Sequence, residues 1–175
     1  MNQPNDPEET TLLKGARFNV ERLTLHGDDG KLYQREVVRH PGAVVLLPIL
    51  DDGSVVMIDN TRPTVGETLL ELPAGTREVG EAGHVTADRE LIEETGYSAG
   101  RLELMLEFYS APGISDELML LFRASDLTAG EAQREATESI VNRIVAKEDI
   151  PALIRDGKIR DAKTLVGLYA YLNGE

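Results

Sequence analysis

The chain has 175 residues, 41% hydrophobic and 28% charged, which supports one globular domain with its own core, alone or with a small appendage. It contains no cysteine, which excludes a disulfide framework, a thiolate nucleophile and a cysteine-based metal site. A formal net charge of −13, with no Lys/Arg cluster, argues against a duplex nucleic-acid binder. An acidic site that holds cations still accepts a small phosphorylated ligand, because a metal reverses the local field.

In chain order, residues 1–10, MNQPNDPEET, are polar with two prolines and no apolar pattern, and are expected to form a disordered tail. ARFNVERLTLH and KLYQREVVRH flank GDDG, so a β-hairpin is expected with its turn at 27–30. AVVLLPIL, DDGS and VVMID read as a second, more buried hairpin. The run at 43–50 is too short to span a bilayer and contains Pro48. No basic start precedes an apolar segment, so a secretory signal is not expected and the cytoplasm is the default location. Strands are expected at 69–72, 101–109, 117–123 and 138–145, and helices at 82–95, 148–156 and 161–173. The last helix should start at an Asp161 N-cap and stop before Gly174. Strands and helices mix without regular βαβ alternation, which makes the chain α+β.

The segment AGTREVGEAGHVTADRELIEETGY raises a physical question. At 100° per residue, Glu90, Glu93 and Glu94 share an arc of roughly 100°, with Val85, Leu91 and Ile92 roughly opposite. Like charges three and four apart on a helix repel, by roughly 0.2–0.5 kcal/mol per pair. One answer is a solvated acidic face; the other is a site for hard divalent cations, which want several oxygen ligands. Gly96 stands where a C′ residue can end the helix.

The surrounding pattern separates these answers. From Gly75 the chain runs Gly-x5-Glu81-x7-Arg89-Glu90-Leu91-x-Glu93-Glu94-x-Gly96-Tyr97, which resembles the signature of the Nudix hydrolases at every fixed position. The resemblance implies an α/β/α sandwich around a mixed β-sheet, and Mg²⁺- or Mn²⁺-dependent hydrolysis of a nucleoside diphosphate linked to another group. It implies Glu90 and Glu94 as principal metal ligands, Glu93 as a further ligand or base, and the Ala74 carbonyl completing the metal shell. Glu81 and Arg89 take structural roles in that mapping. The histidines, His26, His40 and His84, are scattered and read as surface or structural residues.

Two further stretches are similar to the ADP-ribose pyrophosphatase branch of that family. Arg62-Pro63 and Glu71-Leu72-Pro73-Ala74-Gly75 match its approach to the signature, implying substrate-binding roles for Arg62 and Glu71. Pro112 lies fifteen residues past Tyr97, and SAPGISDE resembles the loop whose catalytic glutamate maps onto Glu117, with Asp116 beside it as a substitute. Members of the branch pair as homodimers through an N-terminal β-region, here 11–40 ahead of a hydrolase domain at 41–175, and REVVRHPGAV makes Arg35 a candidate nucleotide contact.

These resemblances imply an ADP-ribose diphosphatase with a nucleoside-diphosphate-sugar substrate and neither nucleic-acid nor membrane partners. The alternative is a broader nucleotide-sugar hydrolase acting on GDP-mannose or ADP-glucose. A third reading, a module that binds ADP-ribose without cleaving it, fits poorly with the retained Glu90, Glu93, Glu94 and Glu117.

Overall fold

The structure is a computed structural model and describes residues 7–134 and 139–174. Strands β1 (Glu8–Lys14), β2 (Asn19–His26) and β3 (Leu32–Arg39) form an antiparallel sheet in that order. The β2–β3 hairpin forms with its turn where expected, His26 facing Leu32, and Gly30 supplies its positive φ of 76°. The tail expected over 1–10 is corrected at its end: Glu8, Glu9 and Thr10 pair with Thr24, Leu23 and Arg22. Its first six residues lie outside the described residues.

Next come β4 (Ala43–Pro48), β5 (Val55–Arg62), β6 (Glu67–Glu71), β7 (Ala74–Thr76) and helix α1 (Gly83–Glu90), which widens into a π-type turn at Leu91–Thr95. They are followed by β8 (Tyr97–Tyr109), β9 (Leu118–Ala129), β10 (Ile140–Val145), α2 (Ile150–Arg155) and α3 (Ala162–Leu172). A mixed four-stranded sheet runs β7-β4-β9-β8, with β4 and β9 parallel, and an antiparallel sheet runs β10-β5-β6.

Every residue of β4 is buried, and the strand divides the core by simple alternation. Val44 and Leu46 pack with Ala87 and Leu91 of the α1 segment; Val45 and Leu47 pack on the other side with Met57, Leu168 and Tyr171. A strand covered on both faces needs an unbroken apolar run, which AVVLL supplies. Each such Val or Leu contributes roughly 1.5–3 kcal/mol on burial. Helix α1 on one face and α3 with the second sheet on the other make the α/β/α layering.

The second hairpin does not form as expected. DDGS does turn, with Gly53 at φ 83°, but β4 and β5 share only the Ile49–Val55 bridge before parting into different sheets. Both edges of β4 are already taken by β7 and β9, and those of β5 by β6 and β10.

The acidic helix is also turned differently from expectation. Glu94 is only 4% exposed, whereas Val85 is 48% exposed. Glu94 therefore turns to the protein side and the valine faces out, while Leu91 is buried as read and the Glu93 side chain stays 36% exposed. A uniform 100° step fails here because the last residues wind as a π-type turn, a distortion frequent at functional sites. Gly96, at φ 78°, ends it as expected. At α3 the Asp161 cap forms as read, accepting from the Thr164 backbone N–H at 3.0 Å and its hydroxyl at 2.6 Å.

Candidate active site

Between the end of β3, the β5–β6 sheet, β7, α1 and the 110–117 loop lies a cleft of about 1080 Å³. Ala74 and Gly75 of β7 lie against α1 closely enough that a Cβ on residue 75 would fall inside the Glu90 carboxylate. With Glu90 in this position only glycine fits there, and a larger residue would displace that carboxylate. The Ala74 N–H donates to Glu94 Oε2 at 2.9 Å, a charge-assisted bond that holds this buried carboxylate in place.

Arg89 organises the wall. Its Nη1 donates to Glu90 Oε1 at 2.7 Å and Glu93 Oε2 at 2.9 Å, so one cationic nitrogen bridges two carboxylates. Burial works against this guanidinium's charge, but hydrogen bonding to Glu81 and the field of Glu90 outweigh it and raise its pKa. Glu81 accepts from the Glu78 N–H, Thr86 Oγ1 and Arg89, and these bonds hold its carboxyl down to about 2. Glu81 thus ties the loop before α1 to Arg89.

Glu117 lines the same cleft, with Oε2 accepting from Ser110 Oγ at 2.6 Å. His40 Nδ1 lies 3.6 Å from Glu117 Oε1 but accepts the Gly42 N–H at 3.1 Å. A nitrogen that accepts cannot also donate, so Nδ1 makes no hydrogen bond to the glutamate beside it. Asp116 is occupied elsewhere: it accepts from the His40 N–H at 2.8 Å and Arg39 Nη1 at 3.3 Å.

Arg62 reaches the cleft from β5 and grips Glu71 with two parallel bonds of 2.9 and 2.7 Å. The hydrogen bond to Glu71 raises the Arg62 pKa. Glu71 itself is 1% exposed, and its Oε2 also accepts from Lys163 Nζ at 2.5 Å. It holds two cations in place and does not line the cleft. Arg35 is exposed on β3 and lies away from the cleft of its own chain.

The structure thus brings Glu90, Glu93, Glu94, Ala74, Arg62 and Glu117 around one space. Sequence reasoning missed His40, Asn60 and Lys163, which line it too. Asn60 carried a signal, since it stands two residues before Arg62 on a strand and so shares its face. Lys163 carried none, because it arrives from α3 about ninety positions away in sequence.

The carboxylate oxygens, with the Gly75 cradle around Glu90, form the hard donor set that divalent ions such as Mg²⁺ or Mn²⁺ prefer. Among the described residues no three acidic or histidine side chains stand as a ready-made ion cage, since Arg89 bridges Glu90 and Glu93. The donor chemistry fits a dication; these side chains would turn to hold it.

Comparison with known proteins agrees with this geometry. A family model described as the NUDIX domain matches residues 38–166. The chain is 38% identical to the ADP-ribose pyrophosphatase of Bacillus subtilis (strain 168), over 90% of this chain and 89% of that one. It is 31% identical to the GDP-mannose pyrophosphatase of Yersinia pestis (strain Pestoides F), over 93% and 89% respectively. A solved structure titled as that of an ADP compounds hydrolase superposes with a TM-score of 0.83 over 99% of this chain and 96% of that one, at 22% identity, which speaks for the fold. The matched span holds the buried acids, Gly75 and the 110–117 loop together, and on it the chain belongs to the Nudix hydrolase family.

Proposed function

We propose that this protein hydrolyses the diphosphate bond of ADP-ribose, giving AMP and ribose 5-phosphate with Mg²⁺ as its metal. The observation that carries the reading is the convergence of Glu90, Glu93 and Glu94 with Glu117 on one cleft that Arg62 also enters. When bound, the metal neutralises the diphosphate and lowers the pKa of water. Glu90 and Glu94 would hold it, with the Ala74 backbone beside them. Arg89 keeps Glu93 aligned through the 2.9 Å bond. Glu117 accepts the proton of the attacking water, and as a loop carboxylate it can adjust to the substrate. Arg62, fixed by its fork to Glu71, offers its remaining N–H groups to a phosphate or terminal-ribose oxygen.

The protein would work in the cytoplasm as a homodimer joined through residues 11–40. Leu12, Leu13, Leu32 and Tyr33 of that sheet are exposed and support an apolar contact there. Among the described residues no helix is long and apolar enough to cross a membrane.

A panel of ADP-ribose, ADP-glucose and GDP-mannose with Mg²⁺ tests the reading, by ratios of kcat/KM. ADP-ribose should lead. Comparable efficiency across the panel would favour the broader hydrolase, to which the resemblance to a GDP-mannose pyrophosphatase lends support. Binding of ADP-ribose without release of AMP would sink both readings in favour of a sensor.

A further inference from the structure

Asn60 is 6% exposed and lines the cleft, yet its side-chain amide has no hydrogen-bond partner among the described residues. The amide opens onto the cleft, where a ligand can satisfy it. It carries an acceptor and two donors, so what satisfies it must both donate and accept. Its surroundings are specific. Asn60 and Arg62 lie on one face of β5, and Arg62 spends only Nε and Nη2 on Glu71, leaving Nη1 without a protein acceptor among the described residues. Lys163 Nζ donates to Glu71 and to Asp161, at 2.9 Å for the latter, which leaves its third hydrogen without an acceptor among the described residues.

Charge decides what this corner takes. The two cations, Arg62 and Lys163, are matched by two anions, Glu71 and Asp161. Asp161 stays ionised although burial opposes it, because Lys163 and Thr164 bind its carboxylate and lower its pKa. The corner therefore has directed donors with no net charge. A phosphate would gain little from it and would meet the lone pairs of the Asn60 carbonyl. Hydroxyl groups can donate to that oxygen and accept from the neighbouring N–H groups.

We propose that Asn60, with the free donors of Arg62 and Lys163, forms a subsite for the vicinal hydroxyls of a ribose in the substrate. The assignment rests on the reading of ADP-ribose as substrate, which carries such a diol at each end. Calorimetry distinguishes the ends without turnover: AMP against 2′-deoxy-AMP, and ribose 5-phosphate against 2-deoxyribose 5-phosphate. The wild type should prefer the hydroxylated member of one pair by about tenfold, the worth of one or two hydrogen bonds. Asn60→Leu should reduce that preference to below about threefold and leave the other pair unchanged. Asn60→Ala gives the same comparison should leucine crowd the corner, with thermal melting to certify each fold. A wild type indifferent within both pairs, or variants that keep the wild-type preference, would overturn the assignment. Because these ligands are products and fragments, the result stands apart from the ADP-ribose turnover assay, whose failure would instead fall on the activity.

Discussion

Replacing Lys163 with methionine tests the buried ion network most directly. Lys163 Nζ sits 2.5 Å from Glu71 Oε2 and 2.9 Å from Asp161 Oδ2, and the two side chains of the first pair are 9% and 1% exposed. Removing one partner of a buried pair costs about 3–5 kcal/mol when the other is left uncompensated. Glu71 keeps the Arg62 fork and Asp161 keeps both bonds from Thr164, so the cost falls to the bottom of that range or just under it, about 2–3 kcal/mol. For a domain of this size about 2–4 °C accompanies each kcal/mol, giving a fall in Tm of roughly 5–10 °C. Denaturant melts of wild type, Lys163→Met, Glu71→Gln and the double variant close a cycle whose coupling should reach about 1–3 kcal/mol. Loosening the Arg62 anchor should also raise KM more than it lowers kcat. A Lys163→Met protein melting within about 2 °C of the wild type would refute the reasoning, since the network would then carry no net stability.

Gly75→Ala should leave the fold nearly intact, because the group struck is the far end of the flexible Glu90 side chain. It should still lower kcat/KM by about a hundredfold, since displacing a catalytic group by about 1 Å costs that much; activity above a third of wild type would contradict the placement of Glu90. Glu94→Gln should abolish nearly all turnover, and a variant keeping more than about a tenth of kcat, a barrier change below about 1.4 kcal/mol, would contradict its assigned role. Glu81 has its carboxyl held down to about 2 against an ordinary 4.5, and Asp161 is lowered too. Lowered carboxyl pKa values stabilise the fold above the unfolded-state values, and that contribution is lost on acidification, here between about pH 4.5 and 2. Melts across that range should steepen in wild type and flatten in Glu81→Gln; parallel curves would exclude Glu81 as a source.

What could be read from the sequence was local. The signature, the Asp161 cap and the Gly96 stop lie within single segments, and each formed as expected. The apolar run of β4 announced a strand buried on both faces, but not which strands would flank it. That choice depends on β7 and β9, and the latter lies some seventy residues away, so the expected β4–β5 hairpin gave way to two sheets. Which way the acidic face turns was not legible, because glutamate is ordinarily a surface residue. Glu94 is buried with the Ala74 N–H as partner, and a charge pattern within one helix carries no trace of that donor. Lys163 was invisible for the same reason, and Asn60 showed only the face it shares with Arg62: their meaning comes from β5, β6 and α3 meeting around Glu71.

The N-terminal sheet is stitched into the reaction centre at one point. The Val38 N–H donates to the Ile114 carbonyl at 2.8 Å, the Asp116 N–H returns to the Val38 carbonyl at 3.2 Å, and Arg39 joins Asp116 to Glu21 and Glu9. Anyone trimming the first forty residues as an accessory would unfasten the segment next to Glu117. The catalytic unit is therefore longer than its signature, and grafting this hydrolase onto another assembly would require carrying that seam along intact.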